Sequence, residues 1–156
     1  MKIGCIQLNV RFGKVEENFE RAEKCIREAV AKGAELVVLP EMWNTGYALK
    51  QLDEIADTDG TRSKQFLTRL AKELKIHIVG GSVAVKRGDK YYNTMYVVDN
   101  TGELVGEYSK AHLFRLLDEH LYLEAGNEMN NFNLGGLDAA GVICYDIRFP
   151  EWLRAH

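Results

Sequence analysis

Residues 76–109 read IHIVGGSVAVKRGDKYYNTMYVVDNTGELVGEYS, and the fold class turns on them. Upstream, apolar residues recur at spacings of three and four. From residue 76 they alternate or run together, which is the period of strands. The turn signals KRGD and NTG divide the stretch into three predicted strands, IHIVGGSVAV, KYYNTMYVVD and ELVGEYS, joined as a meander. The third strand of a meander runs parallel to the first. The end of the strand at 104–109 therefore shares an edge with the end of 35–39, provided that the first meander strand lies parallel to 35–39.

Working outward, Val15, Phe19, Ala22, Cys25, Ile26, Ala29 and Val30 predict an amphipathic helix over 15–32, stopped by Gly33. A second helix fits 63–75, with Phe66, Leu67, Leu70, Ala71 and Leu74 on one side. KIGCIQLNV is expected as an N-terminal strand and ELVVLP as a short buried strand ended by Pro40. Between Lys110 and about Asn131 there is no clear period, and loops that long are uncommon unless they serve as lids or binding loops. NFNLGG and AAGVICY are expected as two more strands, and PEWLRAH begins a helix with Pro150 in its first turn. Strands alternating with helices, then a meander, imply an α/β layered fold with a mixed sheet. The 156 residues fit one domain, with no repeat or linker.

Composition narrows the function classes. Hydrophobic content of 46% and charged content of 28% are ordinary for a soluble globular protein. A net charge of −3 gives no electrostatic footprint for nucleic acid, and no basic run suggests a membrane surface. No apolar run approaches the ~20 residues of a membrane span, and MKIGCIQLNV lacks the apolar core of a signal peptide. Three cysteines (Cys5, Cys25 and Cys144) form an odd set with no secretory signal, so reduced thiols and a cytoplasmic location are expected.

Ligands of α/β sheets gather outside the carboxyl ends of the strands. Three reactive residues fall at such ends: Glu41 after LVVLP, Lys110 after LVGEYS, and Cys144 inside GVICYDIRFPE (141–151). Each has a plainer reading, as a solvated carboxylate, a surface lysine and a small buried hydrophobe. Together they would form a chemical unit. A free thiol of pKa about 8.5 needs help to react at neutral pH. An ammonium ~4 Å away at an effective dielectric of ~20 is worth ~4 kcal/mol, enough to depress a thiol by two or three units at ~1.36 kcal/mol each. A carboxylate beside it pulls the other way, so the group should titrate as one system. Cys25 on the apolar helix face and Cys5 inside a strand are read as buried core residues. His112 and His120 flank the long loop and could approach a site, whereas His77 lies within a strand pattern and His156 is terminal. No C-x-x-C, H-E-x-x-H, G-x-G-x-x-G or G-x-x-x-x-G-K-[ST] spacing occurs, so no metal and no nucleotide is expected.

Three blocks, LVVLPEMWNTGY, GEYSKAHLF and GVICYDIRFPEW, resemble the signature blocks of the nitrilase superfamily of carbon–nitrogen hydrolases. Its Glu, Lys and Cys match Glu41, Lys110 and Cys144. KAHLFRLLDEHLYLEAG is most similar to the ω-amidase branch, with Glu119 at the family's second glutamate. The resemblance implies an α-β-β-α sandwich, commonly dimeric, with no metal or organic cofactor, that hydrolyses a small-molecule amide, the terminal amide of a 2-oxo acid of the 2-oxoglutaramate type, through a cysteine thioester with release of ammonia. It implies that Cys144 attacks the amide carbonyl, that Glu41 is the general base, and that Lys110 and the Tyr145 N–H hold the oxyanion. Arg148 is a candidate for a substrate carboxylate, or else a structural partner of Asp146 or Glu151. Trp43 and Tyr47 line the pocket or simply pack. Rival readings are an N-carbamoyl, nitrile or other amide hydrolase, and an inactive fragment acting through association. Family members continue well past this point, so residues 1–156 are expected to be the N-terminal portion, truncated after the nucleophile strand.

Overall fold

The computed structural model describes residues 1–156 and assigns nine strands. They are β1 (Ile3–Cys5), β2 (Leu36–Val38), β3 (Asp57–Thr58), β4 (His77–Val79), β5 (Val83–Arg87), β6 (Lys90–Val98), β7 (Leu104–Ser109), β8 (Asn131–Leu134) and β9 (Leu137–Ala140). The helices are α1 (Val15–Ala31), α2 (Leu52–Ile55), α3 (Thr61–Leu74), α4 (Glu119–Tyr122) and α5 (Pro150–Ala155), with 3-10 turns at Leu49–Gln51, Arg115–Leu117 and Cys144–Arg148. Both long helices start and stop within two residues of the periodicity's bounds.

β1 through β7 form one mixed sheet. β2 pairs in parallel with β1 and with β4, and the long β6 runs antiparallel to β4, β5 and β7. The strand expected as IHIVGGSVAV is in fact two. β4 and β5 lie in line along one edge of β6, with Gly80 and Gly81 between them, and β7 takes the other edge. The parallel β2–β4 pair supplies the condition on which Glu41 and Lys110 could share a rim.

Alternation along the strands sorts the core into two layers. Val37, Ile78, Tyr96 and Val98 pack with Phe19, Ile26, Leu67 and Leu70 of α1 and α3 on one face. Leu36, Met95, Val97 and Tyr108 point to the other face, where Phe132 and Leu134 of the β8–β9 hairpin and Ile143 cover them. An α layer and a seven-stranded β layer are thus present, and the hairpin is the only sheet on the second face.

Two expectations fail here. AAGVICY is not a strand up to the cysteine: β9 ends at Ala140, and 141–143 leave the hairpin as an extended lead into a turn. Cys5 is exposed and Cys25 only half-buried, so neither is a sealed core cysteine. β1 is the outer strand of the sheet, and Ile3 and Cys5 face its uncovered side while Gly4 lies against Ala29 and Ala34.

Candidate active site

The loop after β2 is held by the gap between β4 and β5. Ser82 N donates to Pro40 O at 3.1 Å, Trp43 N donates to Ser82 O at 3.0 Å, and Met42 N donates to Ser82 Oγ at 3.0 Å. Gly81 makes this approach possible: at φ +57°, a Cβ there would stand 2.1 Å from Pro40 O. Glu41 is thereby turned toward β6 and the end of β7, followed by Met42 in the left-handed region at φ +50°.

Lys110 directly follows β7 with its side chain fully buried, and its Nζ lies 2.8 Å from Glu41 Oε1 and 2.8 Å from Glu119 Oε1. Glu119, also fully buried, opens α4 and takes the Phe114 N–H on its other oxygen at 2.7 Å. Asn93 of β6 donates to Glu41 Oε1 at 2.9 Å. The two glutamates therefore differ. Both oxygens of Glu119 are engaged, whereas Glu41 receives Lys110 and Asn93 on one oxygen, leaving Oε2 clear of both.

Cys144 opens its 3-10 turn at φ +43°, a conformation that costs a non-glycine residue about 1–3 kcal/mol and persists only where surroundings enforce it. The residue presents surface to solvent, and the charges of Glu41, Lys110 and Glu119 all act on its thiol. Burial first, and then the Glu41 charge, raise it above the ordinary 9.0, and Lys110 only partly opposes them. This reverses the expected depression. The Lys110 charge is already divided between two carboxylates, so little of it acts on sulfur. Burial alone would lower the Lys110 ammonium, but Glu119 and Glu41 outweigh it and hold it above its ordinary range.

The remaining candidates separate. Tyr47 stands in the site: burial, and then the neighbouring Glu41, raise its phenol strongly. Trp43 does not. It is fully buried in the helical-face core, edge-on to Phe19, with its ring N–H donating to Gly80 O at 2.8 Å, and offers a ligand no surface. The Tyr145 ring packs against Phe114 and Phe149. Arg148 is exposed and pairs with neither Asp146 nor Glu151; all four acceptor positions of Asp146 are taken by other groups. His120 is exposed, whereas His112 Nδ1 bonds Asp146 at 2.8 Å.

Sequence reasoning missed Asn93 and Asp146. Their signal was a polar residue at a buried position: Asn93 sits among the wholly buried residues of β6, and Asp146 follows the cysteine by two. No helix is long and apolar enough to cross a membrane.

The sequence profile described as carbon-nitrogen hydrolase matches residues 2–156. The 2-oxoglutaramate amidase of Bacillus subtilis (strain 168) is 52% identical over 154 residues, which are 99% of this chain and 59% of that protein. The human omega-amidase NIT2 is 35% identical over 157 residues, covering 96% of this chain and 56% of its own length. Saccharomyces cerevisiae Nit3, described as a member of branch 10 of the nitrilase superfamily, superposes with a TM-score of 0.87 at 31% identity, over 97% of this chain and 58% of that one. The chain thus spans just under three fifths of each of these three relatives. Over that span, with three motif blocks in order and a profile match from residue 2 to the last residue, the chain belongs to the carbon–nitrogen hydrolase family.

Proposed function

We propose that this chain carries the reacting groups of an amidase that cleaves the terminal amide of a 2-oxo acid through a thioester on Cys144, releasing ammonia. The observation that carries the reading is Lys110 held at 2.8 Å from both Glu41 and Glu119, with Cys144 under the influence of the same charges. The likeness to the Bacillus subtilis 2-oxoglutaramate amidase supports the substrate class.

The chemistry follows from which atoms are engaged. Cys144 is a neutral thiol at rest, so its proton must leave as the sulfur attacks. Glu41 Oε2, which neither Lys110 nor Asn93 engages, takes it. The carbonyl oxygen becomes an oxyanion, stabilised by Lys110 Nζ and the Tyr145 N–H. Glu41 then passes the proton to the departing nitrogen and the C–N bond breaks, leaving a thioester and ammonia. Water, deprotonated by Glu41, adds to the thioester carbonyl. Collapse expels the Cys144 thiolate, which recovers the proton, and the product is a carboxylic acid. Glu119 holds Lys110 in place. Arg148, exposed and without an acidic partner, is the candidate for the substrate's own carboxylate.

The free thiols fit a reducing compartment such as the cytoplasm. Exposed Leu116, Leu117, Leu121 and Ile147 around the site favour a homo-oligomer, which sedimentation velocity across a concentration series would reveal. Ammonia release decides the function. 2-Oxoglutaramate should be turned over with higher kcat/KM than a simple aliphatic amide or nitrile, and Cys144→Ala should abolish turnover. Glu41→Gln and Lys110→Ala should nearly do so, with the double variant little worse than either single one. Equal kcat/KM for the oxo-acid amide and the simple amide would leave the carboxylate without a role.

A further inference from the structure

We propose that Asp146 and His112 are positioning residues, whose hydrogen bond straps the Cys144 turn to the chain segment carrying Lys110. The inference rests on the amidase reading and adds to it how the sulfur is kept in register with its partners.

Asp146 is fully buried and every acceptor position of its carboxylate is used. Oδ1 receives His112 N at 2.9 Å and faces His112 Nδ1 at 2.8 Å. Oδ2 receives the Tyr108 hydroxyl at 2.7 Å and Ile143 N at 3.0 Å. As a carboxylate only accepts, the ring proton of His112 belongs on Nδ1. Tyr108 and His112 lie two residues before and two after Lys110, and Ile143 immediately precedes Cys144. One carboxylate therefore gathers the residues flanking both reacting groups, and none of its bonds goes elsewhere.

The strap extends past the carboxylate. The Tyr108 hydroxyl accepts Trp152 Nε1 at 3.0 Å and Ala111 N at 3.2 Å, which brings in α5. The His112 ring stacks on Phe149, at the far end of the cysteine turn, with centroids 3.6 Å apart and planes 12° from parallel. The restraint is needed at this point in the chain. Cys144 sits at φ +43°, and a turn holding such a residue relaxes when its supports are removed.

His112 is the residue to change, because its side chain is 26% exposed and replacing it leaves the core intact. His112→Phe keeps a ring over Phe149 and removes the Nδ1 donor, whereas His112→Asn returns an amide N–H to that position. In the amide assay, kcat of His112→Phe should fall about tenfold to a hundredfold with KM within a factor of about three, as expected for a small misplacement of reacting atoms. His112→Asn should recover most of the loss. A second reading does not depend on turnover. The pH midpoint for alkylation of Cys144 by iodoacetamide, followed on the Cys144 peptide by mass spectrometry, should move down in His112→Phe as the thiol leaves Glu41, and back up in His112→Asn.

Unchanged kcat and an unchanged midpoint in His112→Phe would overturn the strap. So would a loss confined to KM, or His112→Asn performing no better than the phenylalanine variant, which would assign the effect to stacking. Should His112→Phe fail to fold, Tyr108→Phe, which removes one Oδ2 donor at little change in bulk, is held to the same kcat and midpoint criteria. If the native chain hydrolyses no amide at all, the amidase reading fails on its own account and the alkylation midpoint alone decides the strap.

Discussion

At the scale of single residues, burial and then the charged neighbours set the behaviour of Cys144. Its thiol is raised by burial and by Glu41, and lowered by Lys110. Glu41→Gln should therefore move the alkylation midpoint of Cys144 down, and Lys110→Met should move it up; the opposite order would contradict the arrangement. The sign also reaches stability. With the native thiol above 9.0, the unfolded chain gives up its proton first, so this group's contribution stands below pH ~9 and is lost as pH rises through the native value. Lys110→Met carries a larger cost, because it leaves the buried Glu119 and the largely buried Glu41 without their cation. Urea unfolding should show a loss of about 3–5 kcal/mol. Glu41, Lys110, Cys144 and Glu119 were legible because each sits in a motif block or at a strand end. The sign of the thiol shift was not, since sequence does not record that one ammonium serves two carboxylates. Trp43, left open between the pocket and plain packing, packs in the core. Two residues beyond Glu41 the chain has already turned back into the core, through a positive-φ residue that no local pattern announces.

At the scale of elements, the break at Gly80–Gly81 organises the site. Gly81→Ala meets both a left-handed backbone and the Pro40 and Leu39 carbonyls, so it should destabilise by ~3 kcal/mol or more and lower kcat by shifting the Glu41 loop. Gly88→Ala, also at positive φ (+58°) but with nothing within 4 Å, should cost only the ~1–2 kcal/mol of backbone strain and leave kcat alone. Thermal melts and turnover of the two variants make the comparison. Amphipathic spacing located α1 and α3 within two residues, because a helix is written in local periodicity. Strand limits are set by partners distant in sequence. IHIVGGSVAV therefore looked continuous although β4 and β5 pair with different neighbours, and VIC looked like a strand although nothing pairs with it.

At the scale of the whole molecule, the two faces of the sheet differ. α1 and α3 seal one face, and the hairpin 131–140 and Ile143 cover part of the other. The α/β class and the mixed sheet were legible from strands and helices alternating before a meander. The hairpin's separation from the main sheet was not, because NFNLGG and its successor alternate like any half-buried strands. The charge count at the site reaches beyond catalysis. Two carboxylates face a single ammonium there, leaving one negative charge in surplus once the thiol is neutral. On the amidase reading, the reacting end of the substrate is an uncharged amide group that meets no such penalty, whereas its hydrolysis would place a carboxylate beside Cys144, which that surplus repels. Ejection of the finished acid would then come from the same ion cluster that takes the thiol proton. Product inhibition should be weak, with an inhibition constant for the diacid well above KM for the amide. Glu119→Gln, by cancelling the surplus, should lower that inhibition constant and make product departure the slow step.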